Sequence, residues 1–165
     1  MKTVTLIRHA KSSWDYPELG DFERPLNDRG RRDAPMMAKR LQHAGLKPDL
    51  LVSSPALRAI STARAFADVL GIVHEKIAVQ SKLYEARPGD ILRVLQGMGD
   101  TAAEVWLFGH NPGISETAQR LAECPFDDMP TCACVRIELK IKLWSEISRD
   151  CGKLTLYRFP KQETE

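Results

Sequence analysis

The sequence contains no long apolar run. No stretch approaches the roughly 18 apolar residues that a membrane-spanning helix needs. The apolar run near the amino terminus ends at Arg8 after a few residues, and no cleavage-site pattern follows it. We therefore expect no signal peptide, no membrane anchor and no membrane partner.

Cysteine is sparse, and its spacing is not that of a metal or redox motif. The four cysteines include no C-x-x-C pair. Cys132 and Cys134 lie two residues apart in a strand-like run, so their side chains share one face, where we expect them to be buried as small apolar groups. A reducing compartment, the cytoplasm, fits this pattern best, and zinc ligation is the weaker alternative.

Motifs that bind common cofactors are also missing. The chain has no G-x-x-x-x-G-K-[ST] loop, no G-x-G-x-x-G after a strand and no H-E-x-x-H. The net charge is +2, without a block of about five or more like charges, which argues against a nucleic-acid partner. One polar loop, which we expect to be solvated, holds Asp15, Glu18, Asp21 and Glu23. No metal and no cofactor are therefore predicted.

The composition is that of an ordinary globular domain. Hydrophobic residues make up 43% of the 165 residues and charged residues 28%, which argues against disorder. A chain of this length can bury a core that needs no disulfide or metal for stability. Residues 1–165 are accordingly predicted to form a single domain.

Apolar periodicity predicts alternating strands and helices. β-Branched and apolar runs predict strands at residues 3–7, 50–53, 105–108, 132–139 and 153–159. Helical spacing of apolar residues predicts helices at residues 29–44, 55–70, 90–98 and 112–123. The candidate capping residues are Asn27 or Asp28, Ser54 and Asn111. This order of elements predicts an α/β fold with a mostly parallel central sheet flanked by helices.

Three of the predicted strands end in residues suited to an anion. The first strand is followed by Arg8 and His9, the second by a serine pair with Arg58 in the next helical turn, and the third by His110. Because open α/β sheets bind ligands beyond the carboxyl ends of their strands, we expect these side chains to converge. Helix N-termini at the same edge add N–H donors, so the pocket suits a dianion such as phosphate.

Each of these residues also has a plain structural interpretation. A lone histidine after a strand is more often a hydrogen-bonded structural residue, and Arg58 by itself would be a surface cation. However, a cation on a first helical turn is unfavourable unless an anion lies nearby, and both His9 and His110 follow strands in the same way. A functional site is therefore favoured. Since no cysteine stands at a strand-to-helix turn, histidine remains the candidate nucleophile.

Four motifs at these positions resemble the histidine phosphatase, or phosphoglycerate mutase-like, superfamily. The segment LIRHAKS (residues 6–12) is similar to its R-H-G signature, and RPLNDRG (24–30) is similar to its R-P-L-T-x-x-G stretch. Further along the chain, VSSPALRA (52–59) is similar to its second-arginine segment, and LFGHNP (107–112) to the segment of its second histidine. The resemblance implies a three-layer sandwich with a mostly parallel central sheet. It spans residues 4 to about 160.

Finer details resemble one branch of this superfamily, the SixA-type phosphohistidine phosphatases. They are the alanine after His9, the short chain, the G-H-N-P form of the second motif and Pro130-Thr131 before a predicted strand. Two positions depart from the general pattern, because Ala10 replaces a glycine and Asn27 replaces a threonine.

The resemblance implies a reaction without metal or cofactor. His9 would attack phosphorus and become a transient phosphohistidine, which water then hydrolyses. Arg8, Arg58 and His110 would hold the phosphoryl oxygens, and Asn27 would lie beside them. Together with the arginines, a cationic His110 would keep His9 unprotonated.

The general acid and the substrate are less closely specified. The segment LYE at residues 83–85 resembles the place where mutase-like relatives carry a catalytic glutamate, so Glu85 is the candidate acid, with a solvated loop carboxylate as the equal alternative. The implied substrate is protein phosphohistidine, and the implied partner is a phosphorylated ligand such as a histidine-phosphorylated relay protein.

Three competing interpretations remain at this point. The chain is alternatively a small-metabolite phosphomonoesterase of the same superfamily, a mutase, or a phosphate-recognising module without turnover. Lys11 and Arg87 are either residues of the pocket mouth or ordinary surface cations.

Overall fold

A six-stranded sheet forms the centre of the computed structural model, which describes residues 1–161. Its strands are β1 Lys2–Arg8, β2 Leu50–Ser53, β3 Ala78–Val79, β4 Glu104–Gly109, β5 Cys134–Leu139 and β6 Gly152–Arg158. Their spatial order is β3-β2-β4-β1-β5-β6. Strands β3, β2, β4 and β1 are parallel to one another, and β5 is antiparallel to both of its neighbours, β1 and β6. The predicted mostly parallel sheet is confirmed.

Helices cover both faces of this sheet. They are α1 Asp28–His43, α2 Leu57–Leu70, α3 Pro88–Gln96 and α4 Gly113–Leu121. The apolar residues of α1 and α2 share one buried cluster with one face of the sheet, and those of α3 and α4 share a second cluster with the other face. The three-layer α/β architecture implied by the resemblance is therefore confirmed.

Strand β4 illustrates why both faces are buried. Val105 and Leu107 belong to the cluster on the α3/α4 side, whereas Trp106 and Phe108 belong to the cluster on the α1/α2 side. All four side chains are fully buried. Successive side chains of a strand point to opposite faces, so a strand covered on both sides needs a continuous apolar run.

The carboxyl ends of β1, β4 and β2 lie side by side. The registers place the ends of β1 and β2 level with the end of β4, which runs between them. The backbone pairing continues one residue further, because His9 N donates to Gly109 O at 3.0 Å and Ser54 N donates to Phe108 O at 3.1 Å. Residues that follow the three strands therefore meet at one edge of the sheet.

Two helices that begin at this edge start later than the sequence pattern predicts. Helix α2 starts at Leu57, and the predicted cap Ser54 instead accepts a hydrogen bond from Ala56 N at 3.2 Å, before the helix begins. Its hydroxyl is shared with His110, 2.8 Å away, which keeps Ser54 in the strand-end cluster. Helix α4 starts at Gly113, one residue after the predicted position.

The remaining elements agree with the pattern within a few residues. Asn27 caps α1, since its Oδ1 accepts a hydrogen bond from Gly30 N at 2.8 Å. Helix α2 ends at Gly71, whose φ of 72° is the left-handed conformation that glycine adopts readily. The short strand β3 lies in a stretch where no strand is predicted. Within residues 1–161, no helix is long and apolar enough to cross a membrane.

Candidate active site

The two histidines of the predicted constellation are neighbours. His9 follows β1 and His110 follows β4, and their ring centroids are 5.3 Å apart. Both residues are buried. The parallel pairing of β1 with β4 brings them together although they are far apart in the sequence, so their predicted convergence is confirmed.

His9 is placed as a neutral imidazole. Its Nδ1 lies 2.7 Å from Ala10 O. Burial lowers the pKa of His9 to about 3, with Arg58 and Arg8 acting in the same direction and the bond to Ala10 acting against it. Because a carbonyl oxygen only accepts hydrogen bonds, the single ring proton belongs on Nδ1. Nε2 therefore carries the free lone pair that a nucleophile requires.

Burial also favours a neutral His110. Its Nε2 lies 2.8 Å from Ser54 Oγ, and its Nδ1 is buried without a hydrogen-bond partner. Burial, and then the charge of Arg58, lower the pKa of His110 to about 4, whereas Asp21 opposes the shift. The expectation of a cationic His110 is thus wrong for the free protein, because burial disfavours the charged ring.

Two arginines supply fixed positive charge to this edge of the sheet. Arg8 Nη1 donates to Met129 O at 2.9 Å, which anchors one end of its guanidinium. Arg58 is buried on the first turn of α2, where the helix dipole disfavours a cation. Nε of each arginine is buried without a partner.

Three of the buried polar atoms without a partner belong to these site residues. Within residues 1–161, Nε of Arg8, Nε of Arg58 and Nδ1 of His110 all lack hydrogen-bond partners. When Ser54 Oγ donates to Nε2 of His110, the ring proton lies on Nδ1, and all three atoms are N–H donors. Leaving such a donor buried and unpaired costs about 1–3 kcal/mol. An oxyanion bound here would satisfy them.

Asp21 is a site residue that the sequence pattern misses. It is predicted to be a solvated loop carboxylate, but it lies against Arg58, with Arg58 Nη2 donating to Asp21 Oδ2 at 3.0 Å. Tyr84 Oη donates to the same oxygen at 2.6 Å. The carboxylate is half exposed, in agreement with that prediction, but its contact with Arg58 is not predicted, because no local pattern signals a partner 37 positions away.

Glu85 and Asn27 are placed differently from the central four residues. Glu85 is exposed and has a φ of 55°, a left-handed conformation that is uncommon for a side chain of this type. It lines a cavity of about 300 Å³ together with Arg87 and His110. Asn27 Oδ1 caps α1, and its backbone N–H donates to Lys11 O at 3.0 Å, beside the segment that follows His9.

Aromatic side chains border the same pocket. The Tyr84 ring contacts the His110 ring edge-on, with centroids 5.7 Å apart, and Phe22 contacts Tyr84 at 5.1 Å. Phe22, Tyr16 and Trp14 are exposed large side chains of the loop that carries Asp21. The rings of Tyr84 and Phe22 thus extend from His110 to the protein surface.

The cysteines lie apart from this site. All four are free thiols, and Cys132 and Cys134 are buried in the cluster between the sheet and helices α1 and α2. Burial raises the pKa of both thiols, which disfavours the thiolate form needed for attack or metal binding. In the described part of the chain, no three or more His, Cys, Asp or Glu residues are grouped as metal ligands.

Comparison with known protein families identifies the fold and the motifs together. Residues 4–119 match the family described as the histidine phosphatase superfamily, branch 1. The chain belongs to the histidine phosphatase superfamily. The match includes the segments that hold Arg8, His9, Arg58 and His110, which are the residues assembled at the strand ends.

Sequence relatives of this histidine phosphatase superfamily member include an uncharacterised chloroplastic protein of Arabidopsis thaliana. It is 29% identical over 153 residues, covering 88% of this chain and 70% of the relative. A 2,3-bisphosphoglycerate-dependent phosphoglycerate mutase of Bartonella quintana is 30% identical over 112 residues, covering 64% of this chain and 54% of the mutase. The similarity to the mutase is thus partial on both sides.

Solved structures give the fold of this superfamily member over nearly its full length. The crystal structure of a protein from Agrobacterium tumefaciens, provisionally named phosphohistidine phosphatase SixA, matches this chain with a TM-score of 0.79 and 28% sequence identity. The match covers 96% of this chain and 98% of that protein. A protein histidine phosphatase SixA in complex with tungstate has a TM-score of 0.80 and 22% identity, with 96% and 97% covered. Membership in the superfamily and the neighbour from Agrobacterium tumefaciens support phosphatase or phosphotransferase activity.

Proposed function

We propose that this protein is a metal-independent phosphatase that forms a phosphohistidine on His9 and removes phosphate from protein phosphohistidine. One observation carries the proposal: a buried, neutral His9 stands among cationic and unpaired N–H groups at the strand ends. A neutral imidazole with a free Nε2 is a nucleophile, and the surrounding donors match the oxygens of a phosphoryl group.

In the first step, the Nε2 lone pair of His9 attacks phosphorus. The Nε2–P bond forms as the bond from phosphorus to the leaving nitrogen of the substrate breaks, and that imidazole takes up a proton. In the second step, a water oxygen attacks phosphorus, the Nε2–P bond breaks, and inorganic phosphate leaves. The lone pair returns to Nε2, so His9 is regenerated.

Arg8, Arg58 and His110 stabilise the phosphoryl oxygens in both steps. Charge on a transferring phosphoryl group is spread over its equatorial oxygens, and guanidinium N–H groups can hold those oxygens without acting as bases. A bound dianion also favours the protonated form of His110, so its pKa rises and it becomes a stronger donor. Asn27 lies beside this group through the segment that follows His9.

Glu85 is the proposed general acid and base. It shares a cavity with His110, so its carboxyl group borders the place where the leaving group and the attacking water would lie. It would protonate the departing group in the first step and take a proton from water in the second. An imidazole leaving group needs less help than an alkoxide, so Glu85→Gln should reduce hydrolysis of an alkyl phosphate more than hydrolysis of a phosphohistidine.

A phosphate carried by a protein suits this pocket. Phe22, which contacts Tyr84 beside His110, is exposed, as are Trp14 and Tyr16 of the same loop, and exposed apolar side chains near a site suit contact with a protein. The proposed partner is a histidine-phosphorylated relay protein. The cytoplasm is the proposed location, since free buried thiols suit a reducing compartment. Residues 1–165 are proposed to be a single histidine phosphatase domain.

Hydrolysis of p-nitrophenyl phosphate in the presence of EDTA tests the reaction. We expect activity in the unaltered protein and none in His9→Ala, together with an acid-labile ³²P adduct that only the unaltered protein forms. Full activity of His9→Ala would refute the mechanism. Activity lost in EDTA and restored by Zn²⁺ would favour a metal enzyme, and a protein that binds phosphate without an adduct would be a recognition module.

A small-metabolite phosphomonoesterase or a mutase is the second candidate, because the relatives include a phosphoglycerate mutase. Comparison of kcat/KM for a phosphohistidine peptide with that for sugar phosphates and phosphoglycerates separates the candidates. A higher value for the phosphohistidine peptide is expected. A higher value for a metabolite, or phosphoryl transfer to a second metabolite instead of water, would favour the second candidate.

A further inference from the structure

The two terminal nitrogens of Arg58 are both bound to Asp21. Nη1 donates to Asp21 O at 2.7 Å, and Nη2 donates to Asp21 Oδ2 at 3.0 Å. A guanidinium carries five N–H groups, so these two bonds occupy one edge and leave N–H groups on the edge that contains Nε. That Nε is buried and unpaired. The contact with Asp21 therefore determines which edge of Arg58 can receive an anion.

Asp21 is itself held at both carboxylate oxygens. Tyr84 Oη donates to Oδ2 at 2.6 Å, and Arg24 Nε donates to Oδ1 at 3.2 Å. Arg24 is buried and donates through Nη1 to Ser12 Oγ at 2.9 Å, three residues after His9. The carboxylate is thus tied to α2, to the segment after β1 and to the segment before Glu85.

Asp21 is poorly suited to donate a proton. The hydrogen bond from Tyr84 and the charge of Arg58 lower the pKa of Asp21 to about 2, so it is ionised at neutral pH. A carboxylate beside a phosphate site also repels the phosphate dianion. Its placement is favourable to binding only if the carboxylate improves the geometry of Arg58 by more than this repulsion.

We propose that Asp21 is a positioning residue, which turns the Nε edge of Arg58 toward the phosphoryl oxygens while Tyr84 holds the Asp21 carboxylate in place. The inference rests on the proposed function, in which Arg58 binds the phosphoryl group. Two hydrogen bonds to one fixed partner restrict the guanidinium before substrate arrives, which lowers the entropy lost on binding.

Single substitutions provide the first test, with p-nitrophenyl phosphate as substrate and tungstate as a competing oxyanion. We expect Asp21→Ala to weaken tungstate inhibition about tenfold and to raise KM more than it lowers kcat, as for loss of a charge-assisted hydrogen bond. Tyr84→Phe should also weaken tungstate inhibition and raise KM, but by a smaller factor than Asp21→Ala. Asp15→Ala, which removes an exposed carboxylate of the same loop, is the matched control and should leave both values unchanged.

A double-mutant cycle distinguishes positioning from a general structural role. If Asp21 acts through Arg58, Asp21→Ala should change tungstate affinity less than about twofold in an Arg58→Ala background. The same tenfold loss in both backgrounds, or tighter tungstate binding by Asp21→Ala alone, would overturn the inference. Thermal unfolding of each variant confirms that the fold is retained.

The outcomes also separate this inference from the proposed function. If the Arg58→Ala variant is inhibited by tungstate and hydrolyses p-nitrophenyl phosphate like the unaltered protein, Arg58 does not bind phosphate and the proposed function fails. If Arg58→Ala loses tungstate binding while Asp21→Ala and Tyr84→Phe have no effect, only the positioning role of Asp21 is rejected.

Discussion

At the scale of single residues, burial governs the chemistry of the two site histidines. An imidazole in water has a pKa of 6.5, but the pKa of His9 is about 3 and that of His110 about 4. The positions of both residues are readable from the sequence, because each follows an apolar strand. The resemblance implies a neutral His9 but a cationic His110, and the protonation state of His110 differs because it depends on how completely the surrounding structure excludes water.

NMR titration of the imidazole C–H signals measures the protonation states of His9 and His110 directly. We expect His9 and His110 to stay neutral from pH 8 to about 5, because burial penalises the charged ring. Saturating tungstate should raise the pKa of His110, since a dianion favours the cationic ring. The His9→Gln and His110→Gln variants assign the signals. A midpoint near 6.5 for His9 in the free protein would contradict the placement of a neutral nucleophile.

At the scale of elements, the site depends on close approaches between helix N-termini and neighbouring segments. A Cβ at Gly30, in the first turn of α1, would overlap the carbonyl oxygen of Lys11, two residues after His9. A Cβ at Gly113, the first residue of α4, would overlap the carbonyl oxygen of Ala86, next to Glu85. Small residues at these two positions allow both helices to begin beside the pocket.

Gly30→Ala tests the approach of α1 to the segment after β1. The added methyl group should force the backbone of Lys11 to move, lowering the free energy of unfolding by about 1–3 kcal/mol and reducing kcat/KM by displacing His9. Gly89→Ala is the matched control, because a Cβ in the first turn of α3 meets only the end of the Arg93 side chain, at 3.5 Å. Urea unfolding measures both variants. Equal stability of the two would contradict the close approach.

Substitutions of Asn27 separate its cap from its proposed place beside phosphate. Asn27→Ala should lower the free energy of unfolding by about 1 kcal/mol, because Gly30 N loses its acceptor. Asn27→Asp keeps an acceptor at the cap but adds negative charge, so it should retain stability and weaken tungstate inhibition. Unchanged inhibition in Asn27→Asp would indicate that Asn27 acts only as the cap of α1.

At the scale of the whole molecule, the buried site makes stability depend on pH. The unfolded chain binds protons at its histidines below pH 6.5, whereas folded His9 and His110 remain neutral to about pH 3 and 4. More protons bound by the unfolded state means that stability falls as pH falls. Their contribution is therefore complete above pH 6.5 and is lost progressively below it.

Urea unfolding at several values between pH 7 and pH 4.5 measures this loss. Each buried histidine should contribute a decrease of up to about 1.4 kcal/mol in the free energy of unfolding per pH unit. His9→Gln removes one titrating group, so its stability should decline less steeply with falling pH than that of the unaltered protein. Parallel curves for the two proteins would rule out a depressed pKa of His9.

The layered fold was predictable because its signals are local. Continuous apolar runs predict strands buried on both faces, and β1, β2 and β4 lie within one residue of their predicted bounds. Strand β3 is only two residues long, too short for an apolar pattern to reveal. The predicted start of α2 is two residues too early because Ser54 bonds to His110, a partner 56 positions away, rather than serving as a helix cap.

Local sequence was sufficient for the α/β class and for the place of Arg8, His9 and His110 at strand ends and of Arg58 on the following helical turn, and it limited the cap of α1 to Asn27 or Asp28. The tertiary structure alone decided that burial disfavours the charged form of His110 and that Asp21 lies on Arg58. Those features join residues that are 37 and 63 positions apart along the chain, from Asp21 to Arg58 and to Tyr84. Such contacts depend on the path of a loop and on the water it excludes, which no periodicity or capping pattern records.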